Sequence, residues 1–203
     1  MRICTRIVSV LLLLALCAPG ARGQRDGVRD ADRVESYVQY LPDLAYLGIG
    51  LAGVPVRHCL GDQALTLAAG YIADAMIVLM LKQSVYEKRP DGEDARSFPS
   101  GHTSKAFLGA ELVRCEYGWG WGAGAYALAT AVGVMRVQHQ RHYWWDALVG
   151  AGIGIMSAHI GLLLREPVGQ LFGISFDEGS SIAFTPSMDP LSGALCAGIT
   201  YKF

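Results

Sequence analysis

Three short segments of the chain bring together cationic side chains, histidines and an acid. They are residues 82–90 (KQSVYEKRP), 98–102 (FPSGH) and 136–146 (RVQHQRHYWWD). Lysine and arginine side chains suit phosphate oxygens, and the first turn of a helix offers free backbone N–H groups to an anion. If the fold places the three segments together, they predict a pocket that binds a phosphate group.

The same pocket would hold the groups that phosphoryl transfer needs without a metal or other cofactor. Asp146 follows His142 by four residues, so on a helix the two lie on one face. Asp146 can then accept the proton of one imidazole nitrogen and leave the other as a nucleophile. His102 can protonate the leaving oxygen as a general acid. The candidates for binding the phosphate are Lys82, Arg89, Ser100, Gly101 and Arg136.

Helices are predicted to position these segments. Apolar or amphipathic stretches cover residues 44–56, 64–81, 103–117, 119–135 and 147–164. Such runs are longer than strands, and the longest approach the ~20 residues that cross a bilayer. Small residues recur at every fourth position, at 125, 129 and 133 and at 150, 154 and 158, and so permit close helix packing. In an antiparallel bundle, all three segments would lie at one end.

The composition favours an all-α bundle that is embedded in a membrane. Apolar residues make up 52% of the chain and charged residues 17%, against roughly 25% charged in a typical soluble domain. The net charge of −1 offers no basic surface for nucleic acid. The cysteines outside the first 23 residues, at 59, 115 and 196, form no pattern of a disulfide framework or a zinc site. A soluble bundle with glycine-rich buried helices is the alternative.

The two ends of the chain differ from its centre. Residues 1–23 have a positive start, an apolar run at 7–18 and an Ala-Arg-Gly cleavage site, which is the layout of a secretory signal peptide. An uncleaved anchor helix is the alternative. In the tail, 166–203, residues 180–186 and 195–203 flank a turn-rich stretch and predict a short β-hairpin.

One acid lies deep in an apolar run and predicts a buried ion pair. Asp74 is eight residues before Lys82, so a helix places Asp74 ~12 Å below the pocket. Lys105, on the next helix, is three residues after His102 and would lie ~4.5 Å below the pocket. A lysine side chain spans most of the difference in depth between these two residues, so we expect Asp74 to pair with Lys105. The remaining histidines predict structural roles: His58 in a loop, His139 at the surface or supporting the site, and His159 in packing or at the membrane interface.

The motifs Lys-x6-Arg-Pro, Pro-Ser-Gly-His and Arg-x5-His-x3-Asp, in this order and spacing, resemble those of the type 2 phosphatidic acid phosphatase (PAP2) superfamily. The resemblance implies a membrane-embedded bundle over residues 24–165 with phosphatase activity. It implies that His142 forms a phosphohistidine, oriented by Asp146, and that His102 acts first as acid and then as base. The superfamily usually has serine where this chain has Met135, so the contribution of that serine to the phosphate network is absent.

The sequence around the motifs narrows the class of substrate. RSFPSGHTS and HYWWDALVGAGIG look closest to small bacterial lipid phosphatases, including those that act on lipid A. Undecaprenyl diphosphate and phosphatidylglycerol phosphate are the nearest competitors. If the first segment enters from the cytoplasm, the pocket faces the periplasm, most simply in the inner membrane. The expected partners are a lipid phosphate and the bilayer. The alternatives are a vanadate-dependent peroxidase, a soluble acid phosphatase and an inactive membrane scaffold.

Overall fold

The computed structural model describes residues 36–171, with side chains up to 168, and the backbone of two strands near the C-terminus. The helices of this part are α1 (Leu41–Leu51), α2 (Leu60–Ser84), α3 (Gly101–Tyr117), α4 (Trp119–Gln138) and α5 (Trp144–Leu171). The strands β1 (Ile182–Met188) and β2 (Leu195–Tyr201) pair antiparallel, with Ile182 opposite Tyr201. The predicted all-α bundle with a short hairpin is confirmed. The predicted leader at 1–23 lies outside the described residues.

Glycine residues with a positive φ set two of the helix boundaries. The apolar run at 44–56 predicted a longer first helix, but α1 ends at Leu51 because Gly53 adopts a positive φ of 86° and Pro55 follows soon after. Between α3 and α4 the chain reverses at the single residue Gly118, whose φ of 79° is accessible to glycine at little cost. This tight turn makes α3 and α4 antiparallel neighbours.

Helix α3 is the central element of the bundle and packs against α1, α4 and α5. Five apolar side chains of α3 are almost completely buried: Ala106, Leu108, Ala110, Leu112 and Val113. They form one cluster with Tyr46 of α1 and Ala129 of α4. Met135, which stands where the superfamily usually has serine, also packs against this cluster. Because α3 begins at the Pro-Ser-Gly-His segment, burial of α3 fixes that segment in place.

Small residues on α5 allow it to approach α3 closely, as the sequence predicted. A Cβ atom on Gly150 would lie 2.5 Å from the carbonyl oxygen of Ser100. A Cβ atom on Gly154 would overlap the carbonyl oxygen of Ser104 and lie 2.9 Å from the backbone nitrogen of Leu108. These are backbone atoms, which cannot rotate away. The row therefore sets the distance between the helices that carry the second and third motifs.

We expect Gly154→Ala to destabilise the protein by about 1–3 kcal/mol, because the added methyl group forces apart two helix backbones. Gly152→Ala is the matched control, since a Cβ atom on Gly152 meets nothing within 4 Å. The control should be neutral or gain up to about 1 kcal/mol from the higher helix propensity of alanine. Thermal unfolding in detergent measures both. Equal melting temperatures for the two variants would contradict the packing described here.

Away from the three motifs, two buried acids on α3 link this helix to neighbouring segments of the chain. Glu116 accepts the backbone N–H groups of Arg57 and His58 at 2.6 and 2.8 Å, and its other oxygen lies 2.7 Å from Nδ1 of His58. Glu111 lies 2.8 Å from Nε2 of His159 on α5. His58 is thus a loop residue, as predicted, whereas His159 pairs with Glu111 of a neighbouring helix and its side chain is 52% exposed.

Two helices of the described residues are long and apolar enough to cross a membrane. They are α2 (Leu60–Ser84) and the Trp144–Val168 part of α5. Most of their residues are not buried inside the protein, and large apolar side chains face outward, including Leu79 and Met80 on α2 and Leu163 on α5. Apolar side chains directed outward along a helix of this length suit a bilayer.

Candidate active site

Backbone hydrogen bonds join the three motif segments at one end of the bundle. The N–H of Ser100 donates to the carbonyl oxygen of Asp146 at 3.1 Å, which links the second segment to the third. The N–H of Asp91, in the loop after the first segment, donates to the carbonyl oxygen of Gln140 at 3.1 Å. The N–H of Ser97 donates to the carbonyl oxygen of Glu87 at 2.9 Å. The structure therefore brings together the segments that the sequence singled out.

His142 and Asp146 form a buried pair at the start of α5. Nδ1 of His142 lies 3.6 Å from Oδ2 of Asp146, and their side chains are 3% and 0% exposed. This distance is longer than a hydrogen bond, so the two groups are close neighbours rather than hydrogen-bond partners. Oδ2 of Asp146 also accepts the N–H of Tyr143 at 3.0 Å and the hydroxyl of Ser97 at 2.5 Å.

The three predicted cations come from separate elements. Lys82 lies in the last turn of α2, and its Nζ donates to the carbonyl oxygen of Arg96 at 2.9 Å. Arg89 lies in the following loop, where its Nε is 2.9 Å from Oδ1 of Asp94. Arg136, in the last turn of α4, is 5% exposed. All three charges act on His142.

The second segment opens α3, as the sequence predicted, but Ser100 has protein partners. Its N–H donates to the carbonyl oxygen of Asp146, and its hydroxyl lies 2.9 Å from Oγ1 of Thr103. Gly101 and His102 occupy the first turn of α3, where helical N–H groups lack partners within the helix and the helix dipole favours an anion. The N–H of Ser100 therefore already has an acceptor, so we expect an anion at this helix terminus to be bound by the first turn of α3 rather than by Ser100.

Burial and neighbouring cations keep His142 neutral. Desolvation lowers the pKa of His142 most, and the charges of Arg136, Lys82 and Arg89 lower it further, to about 3. A neutral imidazole has a free lone pair on one nitrogen and can act as a nucleophile at neutral pH.

The low pKa of His142 predicts a specific dependence of stability on pH. Because the unfolded chain protonates this histidine near pH 6.5 and the folded chain only near pH 3, stability falls as the pH decreases between these values. Relative to His142→Gln, the wild type should lose roughly 1.4 kcal/mol per pH unit in this window. Thermal unfolding of both proteins from pH 7 to pH 4.5 measures the difference. Parallel curves would show that His142 is not held neutral by its surroundings.

The loop between α2 and α3 is held against the third segment by contacts that the sequence did not predict. Arg141 Nη1 donates to Oδ2 of Asp91 at 3.0 Å and also pairs with Glu93. Trp145 donates its indole N–H to Oε1 of Glu87 at 3.0 Å. Ser97 contacts Asp146, as described above. No periodicity marks these residues, because the contacts join segments that are distant in sequence.

The predicted ion pair between Asp74 and Lys105 is not what the structure contains. The hydroxyl of Ser104, one residue earlier on α3, donates to Oδ1 of Asp74. The ammonium group of Lys105 lies 5.8 Å from the ring centroid of Tyr40 instead. Neighbouring residues on a helix point about 100° apart, so Ser104 faces α2 whereas Lys105 faces the segment before α1.

The helical fold and the three joined motif segments define a class. The chain belongs to the PAP2 superfamily, whose sequence model matches residues 63–168, more than half of the chain. The resemblance drawn from the motifs is thereby confirmed. Within residues 36–168 no group of three metal-ligating side chains occurs.

Two similar proteins place the chain within this class. The Lipid A 1-phosphatase of Porphyromonas gingivalis is 33% identical over 153 residues, which cover 71% of this chain and 34% of that protein. The chain thus spans about one third of the length of this curated relative. The crystal structure of Aquifex aeolicus LpxE matches with a TM-score of 0.51 and 26% identity, covering 65% of this chain and 85% of that chain.

Proposed function

We propose that the protein is a metal-independent phosphatase that removes phosphate from membrane lipids, with lipid A as the substrate, and that residues 24–165 form its catalytic domain. The observation that carries the proposal is the buried, neutral imidazole of His142 beside Asp146 and in the field of three cations. This arrangement supplies a nucleophile and positive charge for a phosphate at the same place.

The reaction proceeds in two steps. In the first, the free ring nitrogen of His142 attacks phosphorus, and the bond from phosphorus to the lipid oxygen breaks. Lys82, Arg89 and Arg136 stabilise the charge on the phosphoryl oxygens. His102 gives a proton to the departing lipid oxygen, while Asp146 stabilises the charge on the His142 ring. The product of this step is a phosphohistidine and a free lipid alcohol.

In the second step, water replaces the histidine. His102, now deprotonated, takes a proton from the water molecule that attacks phosphorus. The bond from phosphorus to His142 breaks, inorganic phosphate leaves, and both histidines return to their starting states. The proton that His102 gives in the first step is thus recovered in the second.

A lipid substrate is supported by the surface beside the site. Trp144 at the start of α5 is 61% exposed, and Leu148 one turn later is 62% exposed. Aromatic and apolar side chains next to a phosphate site fit a substrate whose phosphate sits at the headgroup level and whose chains lie in the bilayer. Lipid A is favoured because the chain is similar to the Lipid A 1-phosphatase of P. gingivalis. Undecaprenyl diphosphate and phosphatidylglycerol phosphate are the alternatives.

The order of the helices supports a proposal for the side of the membrane that the site faces. The last turns of α2 and α4 and the first turns of α3 and α5 all carry motif residues. A chain whose first segment enters from the cytoplasm would place this end of the bundle in the periplasm. We therefore propose a protein of the bacterial inner membrane with its site facing the periplasm.

The test is phosphate release by the purified protein in EDTA from lipid A, undecaprenyl diphosphate, phosphatidylglycerol phosphate and phosphatidic acid. We expect release from lipid A at the highest kcat/KM, with ³¹P NMR identifying the phosphate that is lost. Faster release from another lipid would reassign the substrate. Release that stops in EDTA would contradict the histidine mechanism. Peroxidase activity with vanadate, without hydrolysis of any lipid, would replace the proposal.

A further inference from the structure

Ser97 reaches the acid of the His142–Asp146 pair from another segment of the chain. Its hydroxyl donates to Oδ2 of Asp146 at 2.5 Å, and both residues are 0% exposed. Its backbone N–H donates to the carbonyl oxygen of Glu87 at 2.9 Å, which holds the serine independently of its side chain. The hydroxyl is therefore aimed at Asp146 by the fold of the loop before α3.

The hydrogen bonds to Asp146 are concentrated on one of its two oxygens. Oδ2 accepts the hydroxyl of Ser97 and the N–H of Tyr143, and it is also the oxygen that lies 3.6 Å from Nδ1 of His142. Oδ1 is buried and its geometry gives it no hydrogen-bond partner among the described residues, although the carboxyl group of Glu87 is a further neighbour of Asp146. A change in the rotation of this carboxylate would therefore alter the one oxygen that faces the histidine.

The backbone alone leaves that rotation loosely defined. Asp146 is the third residue of α5 and accepts the N–H of the residue that precedes the helix, which is one half of a capping box. The final torsion of an aspartate side chain is broad, so a single donor does not fix the plane of the carboxylate. A second donor from a different direction, and from a different segment, does.

We propose that Ser97 is a positioning residue for the reaction, whose hydroxyl holds the carboxylate of Asp146 so that Oδ2 faces Nδ1 of His142. The other ring nitrogen of His142 is then directed at phosphorus. The inference rests on the proposed function, because it requires His142 to be the nucleophile. The side chain of Ser97 does not touch the substrate in this account and acts through Asp146, whereas its backbone, which also hydrogen-bonds His142, is unchanged in Ser97→Ala.

Ser97→Ala should lower kcat by about 10- to 100-fold, the range for losing a hydrogen bond to a charged group that orients a functional histidine. KM should stay within about twofold, because the phosphate-binding cations are unchanged. Ser97→Thr keeps the hydroxyl and should recover most of the rate. Ser157→Ala is the matched control: Ser157 on α5 is also 0% exposed, and its hydroxyl has no hydrogen-bond partner among the described residues. This control should leave kcat unchanged.

A double-mutant cycle with Asp146→Ala separates positioning from a general structural effect. If Ser97 acts through Asp146, adding Ser97→Ala to Asp146→Ala should cost no further activity. An equal loss in both backgrounds, a change in KM alone, or a Ser97→Ala protein with the kcat of the wild type would overturn the inference. If the alanine variant does not fold, Ser97→Cys is used in the same cycle, since its thiol has nearly the same size and is a weaker donor.

The outcomes keep the two proposals apart. An inactive wild type, or activity that survives in His142→Ala, would remove the proposed function and this inference with it. A wild type that depends on His142 but not on Ser97 would overturn the inference alone. Melting temperatures of all variants, measured in the same detergent, identify any loss of rate that comes from unfolding.

Discussion

Replacing His142 by alanine is expected to lower kcat for the proposed substrate, lipid A, by about 10⁴-fold or more, because in the proposed mechanism the variant has no nucleophile and cannot form a covalent intermediate. Binding of the lipid phosphate should be largely retained, since Lys82, Arg89 and Arg136 come from other elements of the fold. The measurement is initial phosphate release in EDTA over a range of lipid concentrations. A loss that appears in kcat rather than in KM would identify a residue of the chemical step.

His139→Ala is the matched control for this prediction. His139 follows α4 directly and belongs to the same segment as His142. The account gives His139 no chemical role, so its alanine variant should keep kcat within a few-fold of the wild type. Activity above about 1% of the wild type in His142→Ala, or an equal loss in His139→Ala, would count against His142 as the nucleophile.

The second large effect is expected for His102→Ala and depends on the leaving group. For a lipid alkyl phosphate, loss of the general acid should lower kcat by about 10²- to 10⁴-fold. A nitrophenyl phosphate that carries an alkyl chain has a good leaving group and needs no acid for the first step. His102→Ala should therefore release one equivalent of the nitrophenol in a fast burst and then turn over slowly, because activation of water in the second step still needs His102.

Rapid mixing with detection of the nitrophenolate measures this burst. The wild type, with the same substrate, serves as the reference for the rate of the first step. If the burst in His102→Ala were slowed as much as the hydrolysis of the alkyl phosphate, His102 would not be the acid. If the steady-state rate matched that of the wild type, His102 would not be the base.

The bundle and the meeting of the motif segments could be predicted from sequence because both depend on long patterns. Apolar runs of 17 to 18 residues identify helices whatever surrounds them, and antiparallel neighbours then bring alternate helix ends together. The row of small residues on α5 likewise predicted close packing, which Gly150 and Gly154 realise against the backbone of Ser100 and Ser104. Charges and histidines between such helices could therefore be assigned to one pocket.

Features that depend on the direction of single side chains could not be predicted. Asp74 was predicted to pair with the ammonium group of Lys105, but it accepts the hydroxyl of Ser104, which is one position earlier on α3. The contact of Ser97 with Asp146 joins residues 49 positions apart and leaves no periodic signal. The end of α1 was set by the conformation of Gly53, which the apolar content of residues 44–56 concealed.

The central claim is that the phosphoryl group passes through His142, and one measurement tests it most directly. His102→Ala is mixed with the alkyl-substituted nitrophenyl phosphate labelled with ³²P, so that the first step is fast and the second slow. The account predicts protein-bound label that is stable to alkali, labile to acid and absent from His102→Ala/His142→Ala. A burst of nitrophenol without protein-bound label, or label that persists in the double variant, would contradict it.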